Sequence, residues 1–228
     1  MPSDCLIYDD VPSIEDSLLD RCTSIPTAAF SDAMQRFGGA AGLFPVTLSA
    51  SGSKPVHLVG RALTVQTRPG DNLVVHKAAD LASPGDVLVI DAGAQIDRAI
   101  IGGLLASYSQ SRGITGIVLD GAVRDLAELA ELAIPLFARG VSHVGPYKDG
   151  PGTIRGNIAI GSTAVCQGDL VVGDEDGIVF IPSHRAAEVI SAAEAVVERE
   201  RISTLAIKGG KWDRSWVDAG LTMQRMSR

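Results

Sequence analysis

The chain has 228 residues, a formal net charge of −7 and a sequence pI near 5.0. Hydrophobic residues make up 46% and charged residues 21%, as in folded proteins, and only 4% are aromatic, so Val, Ile, Leu and Ala must build most of the core. The acidic charge and the lack of a basic stripe argue against nucleic-acid binding. No apolar run approaches the ~20 residues of a membrane helix.

Cysteine use and the first residues indicate the setting in which the chain works. The cysteines are too few and too scattered for a disulfide framework or a zinc site; they are Cys5, Cys22 and Cys166. This fits a reducing compartment. The opening MPSDCLIYDD has no basic segment and no apolar stretch, so we expect no signal peptide. We therefore expect a cytoplasmic protein with no membrane partner.

A helical lead-in is predicted for residues 1–40. The first helix lies within the first 25 residues, where Ser13 and Asp16 have the spacing of a capping box. The second covers Thr27 to Phe37 and ends at two glycines. The stretch ASGSKP that follows is predicted to be a loop.

Strands and helices alternate at short intervals from residue 58 to residue 140. The alternating LVGRALTVQT and the apolar VLVID are predicted strands, the second buried on both faces. Such alternation predicts parallel strands joined by crossover helices, hence an α/β fold. The predicted elements are strand 58–67, helix Leu73 to Leu81, strand 87–91, helix Arg98 to Ser109, a strand ending at Asp120, helix Asp125 to Ala133 and strand 135–140.

The last third has a different pattern. Residues 145–157 are rich in glycine and charge and read as a long loop, and short strands joined by turns follow over 158–182. Ser183 can cap a final helix that runs to about Ile207. The C-terminal segment 183–228 also contains two tryptophans, Trp212 and Trp216, which favour a docked tail or a subunit contact.

Several common chemical motifs are missing. The chain has no GxGxxG, Walker A, HExxH, CxxC or GxSxG pattern. None of the four histidines has a second histidine four residues on, so a histidine-rich metal site is not expected.

Three charged residues follow the buried strand that ends at Asp120. Arg124 has a planar fork suited to a carboxylate, and Asp125 offers the hard oxygen ligands that suit Mg²⁺ or Mn²⁺. Glu128 lies three residues on, on the same helical face as Asp125. A plainer interpretation is that both acids complement the helix N-terminus and Arg124 pairs with a nearby acid. Taken alone, the three charges favour that interpretation.

A glycine pair upstream changes the balance. Gly102 and Gly103 precede Leu104 and Leu105 in an apolar run, where each glycine costs ~1 kcal/mol relative to alanine inside a helix. They make sense where a helix begins and its N–H groups face a carboxylate. Close packing of the helix on the sheet would also explain them.

At this point the chain resembles the class II pyruvate aldolases that act on 4-hydroxy-4-methyl-2-oxoglutarate and 4-carboxy-4-hydroxy-2-oxoadipate. Their signature G-x20-R-D-x2-E/D is matched by Gly103, Arg124, Asp125 and Glu128. The resemblance runs from about residue 27 to residue 210 and includes PGDNLVVHKA, PGDVLVIDAG, GPYKDGPG and GDLVVGDEDGIVFIP. The family shares its fold with the regulator of ribonuclease activity A. It implies one swivelling β/β/α-type domain over 1–228, with a central mixed sheet flanked by helices.

The resemblance also implies roles for these residues. Arg124 would hold the carboxylate and carbonyl oxygen of the pyruvyl group, and Asp125 would be the one direct protein ligand of Mg²⁺ or Mn²⁺. The backbone N–H groups from Gly102 to Leu105 would bind the substrate carboxylate. Glu128 would anchor the water shell of the metal or orient Arg124. The family forms trimers or hexamers with sites at subunit interfaces, so a homotrimer or homohexamer is expected.

Some positions depart from the family pattern or leave alternatives open. Some members carry an acid where this chain has Gly103. The absence of that acid here favours decarboxylation over aldol cleavage. Members also take a glutamate from the C-terminal helix of a neighbouring subunit, for which Glu198 and Glu200 are the candidates. Asp97 and Asn72 have either a structural role or a place at the pocket rim. Lys148 is expected to be structural or to face another subunit, and the alternative is a contact with an anion.

Three functions follow from these observations. The first is a divalent-metal-dependent lyase that cleaves 2-oxo acids to pyruvate, as an aldolase, an oxaloacetate decarboxylase or both. The second is a protein-binding regulator of a ribonuclease, which is disfavoured because that branch typically lacks the full acid set. The third is a lyase of the same fold with a different acid substrate. Related chains have also been labelled demethylmenaquinone methyltransferases, but no glycine-rich S-adenosylmethionine loop is present here.

Overall fold

The computed structural model describes residues 3–9, 14–46, 56–224 and 226. The strands are β1 Cys5–Ile7, β2 Phe44–Pro45, β3 Leu58–Thr67, β4 Asp86–Asp91, β5 Ala99–Ile101, β6 Gly116–Val123, β7 Leu136–Val141, β8 Gly152–Ile154, β9 Ile158–Ile160, β10 Thr163–Val165, β11 Leu170–Asp174 and β12 Gly177–Ile181. The helices are α1 Asp16–Cys22, α2 Thr27–Ala33, α3 Leu73–Leu81, α4 Gly103–Ser111, α5 Leu126–Glu131, α6 Ala186–Lys208 and α7 Ser215–Ala219. A 3₁₀ turn at Ser183–Arg185 precedes α6.

A mixed sheet forms the centre, as expected. Its strand order is β1-β8-β3-β4-β6-β7-β2, and the β11–β12 hairpin and β5 join it at β3 and β6. Strands β3, β4, β6 and β7 run parallel, whereas β8, β11 and β2 pair antiparallel with their neighbours in this set. Because parallel strands end at the same edge, the residues that follow β3, β4, β6 and β7 lie along one rim of the sheet.

Alternating residues of the central strands feed two cores. On one face, Leu63, Leu88 and Ile117 pack with α3 and α4, and on the other face Ala62, Val87 and Val118 pack with β9 and the β11–β12 hairpin. Helices α1, α2 and α6 cover the outer face of that hairpin in a further cluster. Fully burying a leucine or isoleucine contributes about 1.5–3 kcal/mol, so the rim is carried by a rigid, well-packed sheet.

Several predicted elements have different boundaries in the structure. Residues 99–101 form β5 instead of the start of a helix, because they pair with β6, and α4 begins only at Gly103. Helix α2 ends at Ala33, since Gln35 and Arg36 adopt positive φ. Helix α5 is shorter than predicted and covers 126–131. Strand β6 runs three residues beyond Asp120.

The N- and C-terminal regions also differ from expectation. The 145–157 loop contains β8, which lies between β1 and β3, and neither β1 nor β8 was predicted. Within the predicted meander, β9 and β10 form a separate two-stranded sheet. Ser13 and the ASGSKP stretch lie outside the described residues. None of the described helices is long and apolar enough to cross a membrane.

Candidate active site

The signature residues meet where β5 and β6 end side by side. Ile101 of β5 is the partner of Val123 of β6, and the N–H of Arg124 donates to the carbonyl of Ile101 at 3.0 Å. Gly102 and Arg124 are therefore neighbours, although 21 residues separate them in the chain. The spacing in the signature is the length of helix α4 and the strand that returns to the same edge.

Asp125 links the two strand ends. Its backbone is left-handed, with φ 61° and ψ 44°, and its side chain makes no capping hydrogen bond to α5. Its Oδ2 instead accepts the N–H of Gly103 at 3.1 Å and lies 3.4 Å from Nε of Arg124. A non-glycine residue in this conformation is uncommon and is found at functional sites. Asp125 is thus the N-cap residue of α5 by position, but its carboxylate is directed to the N-terminus of α4.

Both glycines are needed because acidic side chains lie against them. A Cβ atom on Gly102 would be 2.5 Å from Oδ2 of Asp125, and one on Gly103 would overlap the carboxylate of Glu128. Two carboxylates thus lie over the N-terminus of α4, where the helix dipole favours negative charge. The space beside the Cα of Gly103 is filled by the side chain of Glu128.

Arg124 lies between two glycine backbones. A Cβ on Gly102 would be 3.1 Å from its Nε, and one on Gly145 would be 2.7 Å from its Nη1. The side chains of Arg124 and Asp125 remain 42% and 36% exposed. The arginine is thus confined in position but can still reach a ligand with its planar fork.

In the first turn of α4, one backbone N–H is bound by a side chain of the protein and others are available at the rim. The N–H of Gly103 is taken by Asp125, and Gly102 is the N-cap residue. The N–H groups of Leu104 and Leu105 belong to the same first turn, whose donors have no partner within the helix. The side chain of Leu104 is 87% exposed, whereas Leu105 is buried. Of the four residues predicted to bind a carboxylate, the last two are therefore best placed to do so.

A polar cluster borders this rim. Asn72 is buried and donates to the carbonyl of Ile100 at 2.9 Å, while its Oδ1 accepts Nζ of Lys148 at 3.0 Å. Nζ of Lys148 also lies 3.0 Å from Nε2 of His76. Burial and then the nearby Lys148 charge lower the pKa of His76. These contacts support a structural role for both Asn72 and Lys148.

A cavity adjoins the rim beside Leu104. Its volume is about 360 Å³, and it is lined by His76, Asp80, Leu104, Leu105 and Tyr108. The other predicted rim residue, Asp97, is exposed on the loop before β5, where its side chain accepts a hydrogen bond from Gln95 at 3.3 Å. The structure does not bring Asp97 into contact with the signature residues.

Asp120 does not belong to the site. Its carboxylate is only 7% exposed, accepts Nε of Arg139 at 2.5 Å and accepts the N–H of Gly161 at 3.0 Å. The strand continues past Asp120 through an irregularity in its pairing with β7, so the true end of β6 is at Val123. The sequence alone also did not single out Gly145, which borders Arg124, or Arg98, which binds the carbonyl of Gly145. The glycine-rich loop that begins at residue 145 was the one local pattern that indicated a role for this segment.

The acids present match a sparsely ligated hard cation. Mg²⁺ is commonly held by one or two carboxylates and keeps several waters, and Asp125 and Glu128 supply two carboxylates over one helix end. No group of three or more His, Cys, Asp or Glu side chains that could hold an ion occurs in the described part of the chain. The two predicted C-terminal acids, Glu198 and Glu200, are exposed on α6, and Glu198 pairs with Arg201 at 2.7 Å. These acids are therefore compatible with a cation that is bound by one carboxylate of the protein and by several waters.

Known proteins resemble this chain in sequence and in fold. A protein of Halalkalibacterium halodurans, provisionally named 4-hydroxy-4-methyl-2-oxoglutarate aldolase, is 41% identical over 175 residues, or 75% of this chain and 79% of that protein. The solved structure of Streptomyces coelicolor RraAS2, described as an unusual member of the RNase ES inhibitor RraA family, has a TM-score of 0.76 at 24% identity, covering 85% of this chain and 98% of that one. The RNA-processing inhibitor RraA of Thermus thermophilus has a TM-score of 0.61 at 28% identity, covering 68% and 92%.

A family model covers the region that contains the site. The family described as RraA-like: Aldolase/RraA matches residues 27–180, which include both strand ends, the glycine pair and the three signature charges. This match spans more than half of the chain, so the chain belongs to the Aldolase/RraA family.

Proposed function

We propose that the protein is a divalent-metal-dependent lyase that cleaves 2-oxo acids to pyruvate, as an aldolase, an oxaloacetate decarboxylase or both. The observation that carries the proposal is the junction of Arg124, Asp125 and the α4 N-terminus at one strand edge. The name of the Halalkalibacterium halodurans relative supports the same class of reaction. A 2-oxo acid carries a carboxylate beside a carbonyl, and this junction offers partners for both.

The residues of the chain can divide the work of C–C cleavage. The N–H groups of Leu104 and Leu105 bind the carboxylate of the pyruvyl unit at the helix end. The guanidinium of Arg124 donates to the carbonyl oxygen, on which negative charge develops when the bond breaks. Because donors aimed at developing charge contribute most to catalysis, Arg124 stabilises the resulting enolate more than the ground state.

Asp125 and Glu128 would hold the cation, Asp125 directly and Glu128 through its waters. When bound, Mg²⁺ or Mn²⁺ supplies Lewis-acid stabilisation of the enolate charge. Without a cation, the two carboxylates beside Arg124 would repel an anionic substrate.

The proposal includes a homotrimer or homohexamer. From Ile202 onward, α6 and the tail present apolar side chains to solvent, which include Ile202, Leu205, Ile207, Trp212 and Trp216. Exposed apolar side chains grouped in this way are typical of an interaction surface. A second copy placed there would bring Glu198 or Glu200 towards a neighbouring site. Light scattering should give three or six times the 23.7 kDa monomer mass.

Pyruvate release tests the proposed activity. The protein is incubated with oxaloacetate or with 4-hydroxy-4-methyl-2-oxoglutarate, each with Mg²⁺ and with EDTA, and pyruvate is followed with lactate dehydrogenase. We expect metal-dependent release from at least one substrate, and a loss of about 10²–10³-fold in kcat in Arg124→Ala. Arg185→Ala is the matched control, since Arg185 has the same exposure and pairs with Glu188 at the surface. No metal-dependent release from either substrate would refute the lyase proposal.

Ribonuclease inhibition is the second candidate, supported by the likeness to the Thermus thermophilus inhibitor. It is tested by adding the protein to an RNA-degrading endonuclease and measuring cleavage of a labelled RNA. Inhibition that Arg124→Ala leaves intact, together with no pyruvate release, would favour the regulator over the lyase.

A further inference from the structure

The guanidinium of Arg124 rests on a loop that a second arginine holds. The backbone of Gly145 lies beside Arg124, where an added Cβ would be only 2.7 Å from Nη1. The carbonyl of the same Gly145 accepts Nη1 of Arg98 at 2.9 Å. Arg98 therefore acts on the residue that limits where the Arg124 fork can lie.

Arg98 is itself fixed on its other side. Its Nη2 donates to the hydroxyl of Tyr147 at 2.9 Å, and its guanidinium carbon is 4.1 Å from the centre of the Tyr147 ring. The adjacent residue, Ala99, donates its N–H to the carbonyl of Val144 at 2.9 Å. The planar guanidinium thus holds two residues of one loop while it also lies on the Tyr147 ring, a combination that suits arginine better than lysine.

The far end of this loop is held by a buried carboxylate. Asp71 accepts the N–H groups of Leu73, Asp149 and Gly150 and pairs with Arg68 at 3.0 Å. Burial acts to raise the pKa of Asp71, but these donors outweigh it and the pKa lies below its ordinary value. The loop is therefore held at both ends, and Arg98 is the contact nearest the site.

We propose that Arg98 is a positioning residue that, through Gly145, holds the guanidinium of Arg124 in the orientation in which it meets the substrate carbonyl. This rests on the proposed function for its catalytic consequence, but the effect on the orientation of Arg124 can be measured independently of any activity. Arg98 touches no signature residue directly, and it acts only through the backbone of the loop.

Labelling of arginine with phenylglyoxal, resolved by peptide mass spectrometry, reports how Arg124 is held. In Arg98→Met, which keeps the apolar stem, we expect Arg124 to be labelled about tenfold faster, the population change that the loss of one or two hydrogen bonds produces. Arg185, equally exposed and distant in the chain, is the internal reference. Arg21→Met is the control variant, because Arg21 pairs with Glu194 between α1 and α6 and has no part in the loop, so it should leave the labelling rate of Arg124 unchanged.

A second variant tests the same contact without removing a charge. Gly145→Ala places a methyl group against Nη1 of Arg124 and should also raise the labelling rate, whereas Gly39→Ala, whose nearest atom is 3.8 Å away, should not. If the wild type releases pyruvate, Arg98→Met and Gly145→Ala should lower kcat for pyruvate release more than they raise KM, and Arg98→Lys should recover only part of the loss.

The outcomes separate the two proposals. A wild-type protein that releases no pyruvate refutes the lyase function, and the labelling rates then still decide the role of Arg98. An Arg124 labelling rate that is unchanged in both Arg98→Met and Gly145→Ala overturns the positioning role, whatever the activity.

Discussion

Two acid–arginine pairs lie close together in the chain, Asp120 of β6 with Arg139 of β7 and Asp125 with Arg124 just after β6, and they differ in burial, distance and backbone conformation. Asp120 and Arg139 are largely buried, and the carboxylate also accepts the N–H of Gly161. Arg124 and Asp125 are more than a third exposed, their contact is longer at 3.4 Å, and Asp125 has a left-handed backbone. The first pair uses its hydrogen-bonding capacity inside the fold, whereas the second keeps capacity for a ligand.

The difference shows what distinguishes a structural pair from a reactive one. Removing one partner of a buried pair leaves a charge without compensation, so such a pair is needed for folding. An exposed pair adds little to stability, and strained backbone persists mainly where function requires it. Both pairs join an aspartate to an arginine, and burial, backbone conformation and partners separate them.

Breaking the buried pair should have the largest effect on stability. In Asp120→Ala, Arg139 and the N–H of Gly161 lose their acceptor, so we expect the free energy of unfolding to fall by about 3 kcal/mol. Urea unfolding followed by circular dichroism measures this change. A loss below about 1 kcal/mol would show that water compensates the pair and that the contrast with Asp125 is weaker than the structure indicates.

The exposed pair should respond in the opposite way. In Asp125→Gly, turnover should fall by about 10²–10³-fold while the free energy of unfolding changes by less than about 1 kcal/mol. Glycine relieves the left-handed backbone, and this offsets the lost hydrogen bond from Gly103. Pyruvate assays and urea unfolding on one preparation test both parts. A loss of stability as large as that in Asp120→Ala would contradict the assignment of Asp125 to the site.

The contact of half-buried His76 with Lys148 is intermediate in burial between the two pairs. Its effect on the free energy of unfolding should be the smallest of the three. Because the pKa of His76 is lowered, the unfolded chain binds more protons near pH 6, so stability is complete above about pH 6.5 and is lost as the pH falls. The dependence is below about 1.4 kcal/mol per pH unit, the limit for one proton. Melting temperatures between pH 5 and pH 7 should vary less in His76→Gln than in the wild type; equal variation would contradict this role.

The local sequence pattern was enough to predict the strands that are buried along most of their length. β3 and β4 were predicted within a residue because alternation and a continuous apolar run leave few other interpretations. The three apolar residues of β5 were assigned to a helix, because a run that short fits either state. Only its pairing with β6, which joins residues more than twenty positions apart, decides the matter.

The site residues also fall into those that local sequence predicts and those that only long-range contacts reveal. The signature spacing located Arg124, Asp125, Glu128 and the glycine pair, and the structure brings them together. The contact between Arg98 and Gly145 spans 47 residues, and nothing in the local sequence of either residue points to the other. Asp120 was placed at the strand end because the irregularity that extends β6 depends on its partner strand.

The carboxylate of Glu128 in the space above Gly103 has a consequence for redesigning this corner of the site. A side chain added at position 103 would collide with that carboxylate, so an acid can reach the corner from α4 or from α5 but not from both at once. A Gly103→Asp substitution therefore needs a smaller residue at position 128. Combined with Glu128→Ala, it would keep the charge of the corner and change only the helix that carries it.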